Sequence, residues 1–288
     1  MGACVLVSIA GCKNKESASS PADSMAQQIG DAMVSIDEAG GSDGGYAFLK
    51  REQKIIARYS RVSAVQALMD ELVPRADAAS CLVTNTWGNC LSNVVVRDFQ
   101  GCAYLGATFS GTITYSFSDA TVDNTCSISA NGHYVTRHPS FTITGSQGAA
   151  FAVSKTGTNG QKIERTGAAA YNFTNDGIRR ILTYGGTTWA DFTTTTTSAI
   201  GISGANRSGR TANGGALRVS NNLTGVTCDF APSGVTWGST CNCATSGNWS
   251  ASCSNGASAS LAITGCGTGT FVFAGESSSV VMDQCGTL

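Results

Sequence analysis

The sequence predicts an all-β protein: an antiparallel, disulfide-braced β-sandwich or curled sheet, preceded by an N-terminal helical segment. Three observations carry this. From Cys81 onward the apolar residues recur every second position. Ten of the twelve cysteines fall in that same region. Between residues 25 and 73 the apolar spacing is instead helical.

The clearest strand runs through Leu105, Ala107, Phe109, Gly111, Ile113, Tyr115 and Phe117. Thr108, Ser110, Thr112, Thr114 and Ser116 alternate with them, giving one apolar and one hydroxyl-rich face. Shorter alternations follow at Phe141/Ile143, Phe151/Val153, Tyr171/Phe173, Val226/Cys228/Phe230, Leu261/Ile263 and Phe271/Phe273. Asn131-Gly132, Asn159-Gly160, Asp176-Gly177 and Asn213-Gly214 separate strands and read as hairpin turns. No helical stretch interrupts this region, so an antiparallel all-β body follows. The 35 glycines and four prolines suit a chain of many turns.

Upstream, residues 13–24 are polar, offer little to bury and read as disordered. Met25, Ile29, Ala32, Met33 and Ile36 then recur at helical spacing, and the glycine-rich run 40–45 breaks the pattern. The strongest helix signal is over 46–73, where Ile55, Ile56, Tyr59, Val62, Val65, Leu68, Met69, Leu72 and Val73 form a stripe. Pro74 stops it. The stripe is expected to pack on the β body.

The first residues carry a separate signal. Val5-Leu6-Val7-Ser8-Ile9-Ala10-Gly11-Cys12 is an apolar run, two small residues and a cysteine, followed by the polar Lys13-Asn14-Lys15. Ile9-Ala10-Gly11-Cys12 resembles the lipobox of bacterial lipoproteins. The segment lacks the Lys or Arg that precedes the apolar run of such signals. The resemblance implies a lipidated Cys12 as the first mature residue and a membrane partner through that acyl anchor. Lys13, rather than Asp, implies an outer-membrane location. The style of the body, rich in Cys, Ser, Thr and Gly, is similar to Cys-rich envelope lipoproteins of Gram-negative bacteria. The resulting domain plan is a signal segment (1–11), a lipid anchor and flexible tether (12–45), a helical neck (46–74) and a Cys-rich all-β body (75–288).

An exported location changes the reading of the cysteines. Cys81, Cys90, Cys102, Cys126, Cys228, Cys241, Cys243, Cys253, Cys266 and Cys285 become a disulfide framework. Near neighbours suggest Cys81 with Cys90 and Cys102 with Cys126, leaving three bridges among the last six. Cys241 and Cys243 share a strand face, so each takes a different partner. Metal binding is disfavoured: Cys241-Asn242-Cys243 is not the C-x-x-C of a zinc knuckle, and no histidine follows at finger spacing. No cofactor is expected.

Charge is sparse at 13%, with a net of −1, and no basic run exists to hold nucleic acid. Residues 1–80 hold 10 of the 19 acidic and 8 of the 18 basic residues. The body is therefore poor in groups that titrate. His133 and His138 form no catalytic motif, and Gly201-Ile202-Ser203-Gly204 is not a nucleophile elbow. Asp98, Asp176, Asp191, Asp229 and Glu276 offer carboxylates without a spacing that singles out a pair. Arg179 and Arg180 face opposite sides of a strand. The run Thr193 to Thr197 lacks the Thr-x-Thr coil of an ice-binding face. Trp87, Trp189, Trp237 and Trp249, with Tyr104 and Tyr184, are candidates for stacking on a glycan, Trp189, Trp237 and Trp249 foremost, against the alternative that they fill the core or brace disulfides. The expectation is a non-catalytic binding, adhesive or scaffolding envelope protein with a glycan or envelope-protein ligand. The alternatives are a secreted hydrolase acting on glycans or peptides, and a lipid-handling accessory.

Overall fold

A computed structural model describes residues 21–39, 93–99, 101–104, 107–118, 128, 130–145, 148–282 and 285–287. The expected neck over 46–74 lies outside the described residues. One α-helix and seventeen strands are described, and every strand belongs to one antiparallel sheet. The expected all-β, disulfide-braced fold with an N-terminal helix is the fold observed.

The sheet is a meander whose middle strands are each broken in two. β1 (Val94–Asp98) and β2 (Cys102–Tyr104) pair with different parts of β3 (Ala107–Phe117), and β3 pairs along its length with β4 (Tyr134–Gly145). The other edge of β4 takes two strands end to end, β5 (Ala150–Lys155) and β6 (Gln161–Gly167). β7 (Ala170–Asn175) pairs with β6, and β8 (Ile178–Tyr184) with β5. Next come β9 (Thr187–Ser198) on β8 and β10 (Ile200–Ser203) on β7. β11 (Thr211–Asn213) on β10 and β12 (Ala216–Asn221) on β9 follow. β11 and β12 rejoin on one strand, β13 (Thr227–Trp237). β14 (Ala244–Cys253), β15 (Ser258–Gly265), β16 (Thr268–Phe273) and β17 (Glu276–Val281) complete the meander.

The breaks lie beside one another in neighbouring strands and form a crease across the sheet. Bends of this kind let a sheet turn on itself. Glycine is required where strands approach most closely. A Cβ on Gly177 would lie 2.2 Å from Thr156 Oγ1, and one on Gly215 would lie 2.1 Å from Ala199 O. Three expected hairpins are corrected here. Asn159-Gly160, Asp176-Gly177 and Asn213-Gly214 join β5 to β6, β7 to β8 and β11 to β12, and these strands pair with other neighbours instead. A glycine at positive φ permits any sharp change of direction. Whether the next strand folds back or runs on depends on which edge is open.

At the crease, side chains take over from ladder hydrogen bonds. Asn175 N donates to Thr196 Oγ1 (3.0 Å), Gly177 N to Asn175 Oδ1 (3.0 Å) and Thr194 Oγ1 to Ile178 O (3.4 Å). Buried backbone groups must find such partners. The threonine run thus has a structural use: Thr194 and Thr196 serve the crease.

Helix α1 (Pro21–Ala39) packs against β6, β9 and β12 on one side and β16 and β17 on the other. Proline suits its first position. Met25, Ala26, Ile29, Ala32, Met33, Val34 and Ile36 are all buried. Residues 21–39 are therefore part of the core, which corrects the tether expected over 12–45. A segment with this many apolar side chains gains more from the sheet than from water, at about 1.5–3 kcal/mol for each large one.

One stripe of α1 is polar. Gln28, Asp31 and Ser35 face the crease and are buried. Arg180 Nη2 donates to Asp31 Oδ2, and Arg180 Nη1 donates to Gln28 Oε1 (3.0 Å) and Thr194 Oγ1 (3.3 Å). Gln161 Nε2 donates to Asp31 Oδ2 (3.4 Å), while Gln161 Oε1 accepts from Ser35 Oγ (3.1 Å) and Arg137 Nη1 (2.9 Å). Asp31 and Arg180 thus carry opposite charges into the interior, where Gln28, Gln161 and Thr194 hydrogen-bond to them.

Three disulfides brace the C-terminal half. Cys228–Cys253 joins directly opposed residues of β13 and β14, Cys241–Cys266 ties the β13–β14 connection to the end of β15, and Cys243–Cys285 ties it to the C-terminal segment. Cys241 and Cys243 take different partners, as their spacing predicts. Cys243 Sγ lies 3.8 Å from Gly30 O, so this bridge rests on α1 where the helix has no Cβ. Asn242 seals the corner by exchanging hydrogen bonds with Gly286 (3.2 and 2.6 Å). Cys81, Cys90 and Cys126 lie outside the described residues, and with them the expected Cys81–Cys90 and Cys102–Cys126 pairs.

Two outcomes follow from this packing. Arg180→Met leaves Asp31 buried without its partner and lowers unfolding free energy by about 3–5 kcal/mol, whereas Arg180→Met with Asp31→Leu recovers most of the loss. Urea unfolding of the oxidised protein measures both. Gly215→Ala meets backbone at positive φ and costs about 2–4 kcal/mol. Gly225→Ala, also at positive φ but facing open space, costs about 1 kcal/mol.

Candidate functional site

The β8–β9 hairpin carries two exposed large apolar side chains, Trp189 and Tyr184, close to a fixed polar group. Its two-residue turn is Gly185-Gly186, with φ of +58° and +77°, between the paired Tyr184 and Thr187. Positive φ at both positions matches the twist of a tight hairpin. The register then slips: Leu182 opposes Ala190, but Thr183 opposes Thr188. Trp189 is the extra residue of that β-bulge. Bulges re-aim side chains, and Trp189 is 53% exposed, with Tyr184 at 48%. Trp189 Nε1 donates to Tyr184 O (3.4 Å), which fixes the indole edge and leaves its faces to solvent.

Two residues along β9, Asp191 stands on the same outer face, because Ala190 and Phe192 pack on the core. Arg179 forks onto it, Nε to Oδ1 (2.9 Å) and Nη2 to Oδ2 (2.5 Å). Asn222 Nδ2 donates to Asp191 Oδ1 (2.7 Å) and Thr193 Oγ1 (2.9 Å). The Arg179 hydrogen bond is the main reason the Asp191 carboxyl sits below its ordinary pKa, with Asn222 adding to it against the opposing effect of burial. A second fork follows across β12 and β13, Arg218 onto Asp229 (2.7 and 2.7 Å), and it too lowers the carboxyl. The outer face of β8, β9, β12 and β13 is thus a floor of arginine–aspartate forks and hydroxyls, with Trp189 at its edge.

The sequence candidates separate clearly. Trp189 and Tyr184 meet only through the indole hydrogen bond to the Tyr184 carbonyl, since Tyr184 has the strand face of Arg180 rather than that of Arg179. Trp237 and Trp249 do not join them: they are 2% and 0% exposed, and they fill the core, so neither offers a face to a ligand. Large flat rings at inward-facing strand positions bury the most apolar surface there. Arg179 and Arg180 do face opposite sides, one onto Asp191 and the other onto Asp31. Asp191 and Asp229 are each engaged by an arginine and held ionised, so neither is set up to donate a proton. Asp176 accepts from Asn159 N (2.7 Å) at the crease. Cys12 lies outside the described residues. The bulge at Trp189 and the role of Asn222 had no sequence signal, because both arise from pairing register.

His138, on β4, borders the crease. Burial, and then the nearby Lys155, hold its imidazole below the ordinary histidine pKa, against the opposing pull of a hydrogen bond to the Asn159 backbone. Its Nε2 is buried without a partner, so a proton there has no acceptor. Comparison with known protein families, curated proteins and solved structures finds no match to this chain.

The two shifts act in different pH windows. Lowering the His138 pKa favours its neutral form in the folded state, so stability falls as pH drops below about 6.5 and His138→Gln removes that slope. The contribution of Asp191 is complete above about pH 4 and disappears as pH falls through its own lower value, a loss absent in Asp191→Asn. Unfolding measured from pH 8 to 2 in the three proteins separates the windows.

Proposed function

We propose that this is an exported envelope protein, anchored in the outer membrane by acyl chains on Cys12, that binds a ligand rather than transforming one. The observation that carries the binding reading is Trp189: a bulge holds a large apolar ring half in water beside an ordered floor. Held by its hydrogen bond to Tyr184 O, the half-exposed ring offers a flat apolar surface at a fixed place. The ligand class that suits it is a glycan. A sugar stacks its C–H face on an aromatic ring, and its hydroxyls meet fixed donors and acceptors. Arg179 is 42% exposed and has N–H donors beyond the two that Asp191 takes. The three disulfides support an oxidising compartment, where such bridges persist.

The test combines two measurements on the full-length chain extracted from membranes. Intact mass is expected to show acylation at Cys12 and a gain of two hydrogens per bridge on reduction. On a panel of glycans, peptidoglycan fragments and envelope proteins, Trp189→Ala is expected to weaken binding at least about tenfold, or 1.4 kcal/mol, at unchanged stability. An unmodified Cys12, or a panel with no ligand for the wild type, overturns the reading.

A further inference from the structure

The position of α1 limits how far any N-terminal anchor can hold the body from a membrane. The helix begins at Pro21, and Ser24 and Met25 are already buried. Gln27 Nε2 donates to Val281 O (2.6 Å), fixing the first turns against the end of β17. Cys12 lies nine residues before Pro21. In any conformation nine residues span no more than about 30 Å. Resting on the anchor reading above, we infer that the body is held within about 30 Å of the lipid headgroups of its own membrane rather than displayed on a long stalk.

Lengthening the leash requires drawing α1 out of the sheet. That would expose Met25, Ile29, Met33 and Ile36 and strand Arg180 without Asp31. The reach is therefore set by the stability of the core.

Neutron reflectometry of the acylated full-length chain on a supported bilayer of neutral and anionic phospholipid tests the inference. The protein layer is expected to begin within about 30 Å of the headgroups, with α1 amides as protected from hydrogen exchange on the bilayer as those of β13 to β15. An acylated chain separated by a wider water layer, or one whose α1 exchanges freely, overturns the inference while leaving the anchor reading intact. A chain unmodified at Cys12 that does not stay on the bilayer overturns both.

Discussion

The ion pair between Asp31 and Arg180 is the constraint around which this molecule is arranged. Two opposite charges out of water are favourable only if their geometry is good and every remaining donor and acceptor is engaged. That requirement brings in Gln28 and Ser35 from the helix, Gln161 and Arg137 from β6 and β4, and Thr194 from β9. These residues lie where the strands break. The crease is therefore also where the helix is held, and its direction and depth are fixed together. The apolar sides of α1 then join β6, β9 and β12 to β16 and β17, distant parts of one sheet.

The same arrangement explains the distribution of polarity. Near the crease Asp31, Arg180 and Arg137 are turned inward around α1, while Arg179–Asp191 and Arg218–Asp229 pair outward as forks. The C-terminal strands carry no charge from Phe230 to Gly275 and rely on covalent bracing. Three bridges reinforce β13 to β15 and the C-terminal segment, and one of them rests on the helix backbone at Gly30. Small residues and hydroxyls suffice on the outer face because the disulfides and the buried aromatics Trp237, Trp249, Phe230 and Phe271 supply the cohesion.

Against this surface Trp189 is an exception. Elsewhere on the described strands the tryptophans are sealed in the core, and one pairing slip places this ring outside. Its exposure depends on the Gly185-Gly186 turn and on the bulge, both on the rigid β8–β9 pair. Binding residues carried on a stiff scaffold lose little freedom when a ligand arrives.

Sequence by itself determined the fold class, since period-two alternation, abundant turn residues and clustered cysteines allow no other body. It also determined that Cys241 and Cys243 part company, that Arg179 and Arg180 oppose each other, and that residues 25–36 are helical. Only the tertiary structure decided that this helix lies inside the sheet, because Gln28, Asp31 and Ser35 form a polar stripe that reads in sequence as an ordinary solvent face. It alone decided which Asn-Gly and Asp-Gly pairs make hairpins and which make the crease, and which tryptophan meets water. The physical reason is common to all three. Local chemistry specifies a backbone bend or an apolar side chain, but the partner that receives it is chosen by pairing register across residues far apart in the chain.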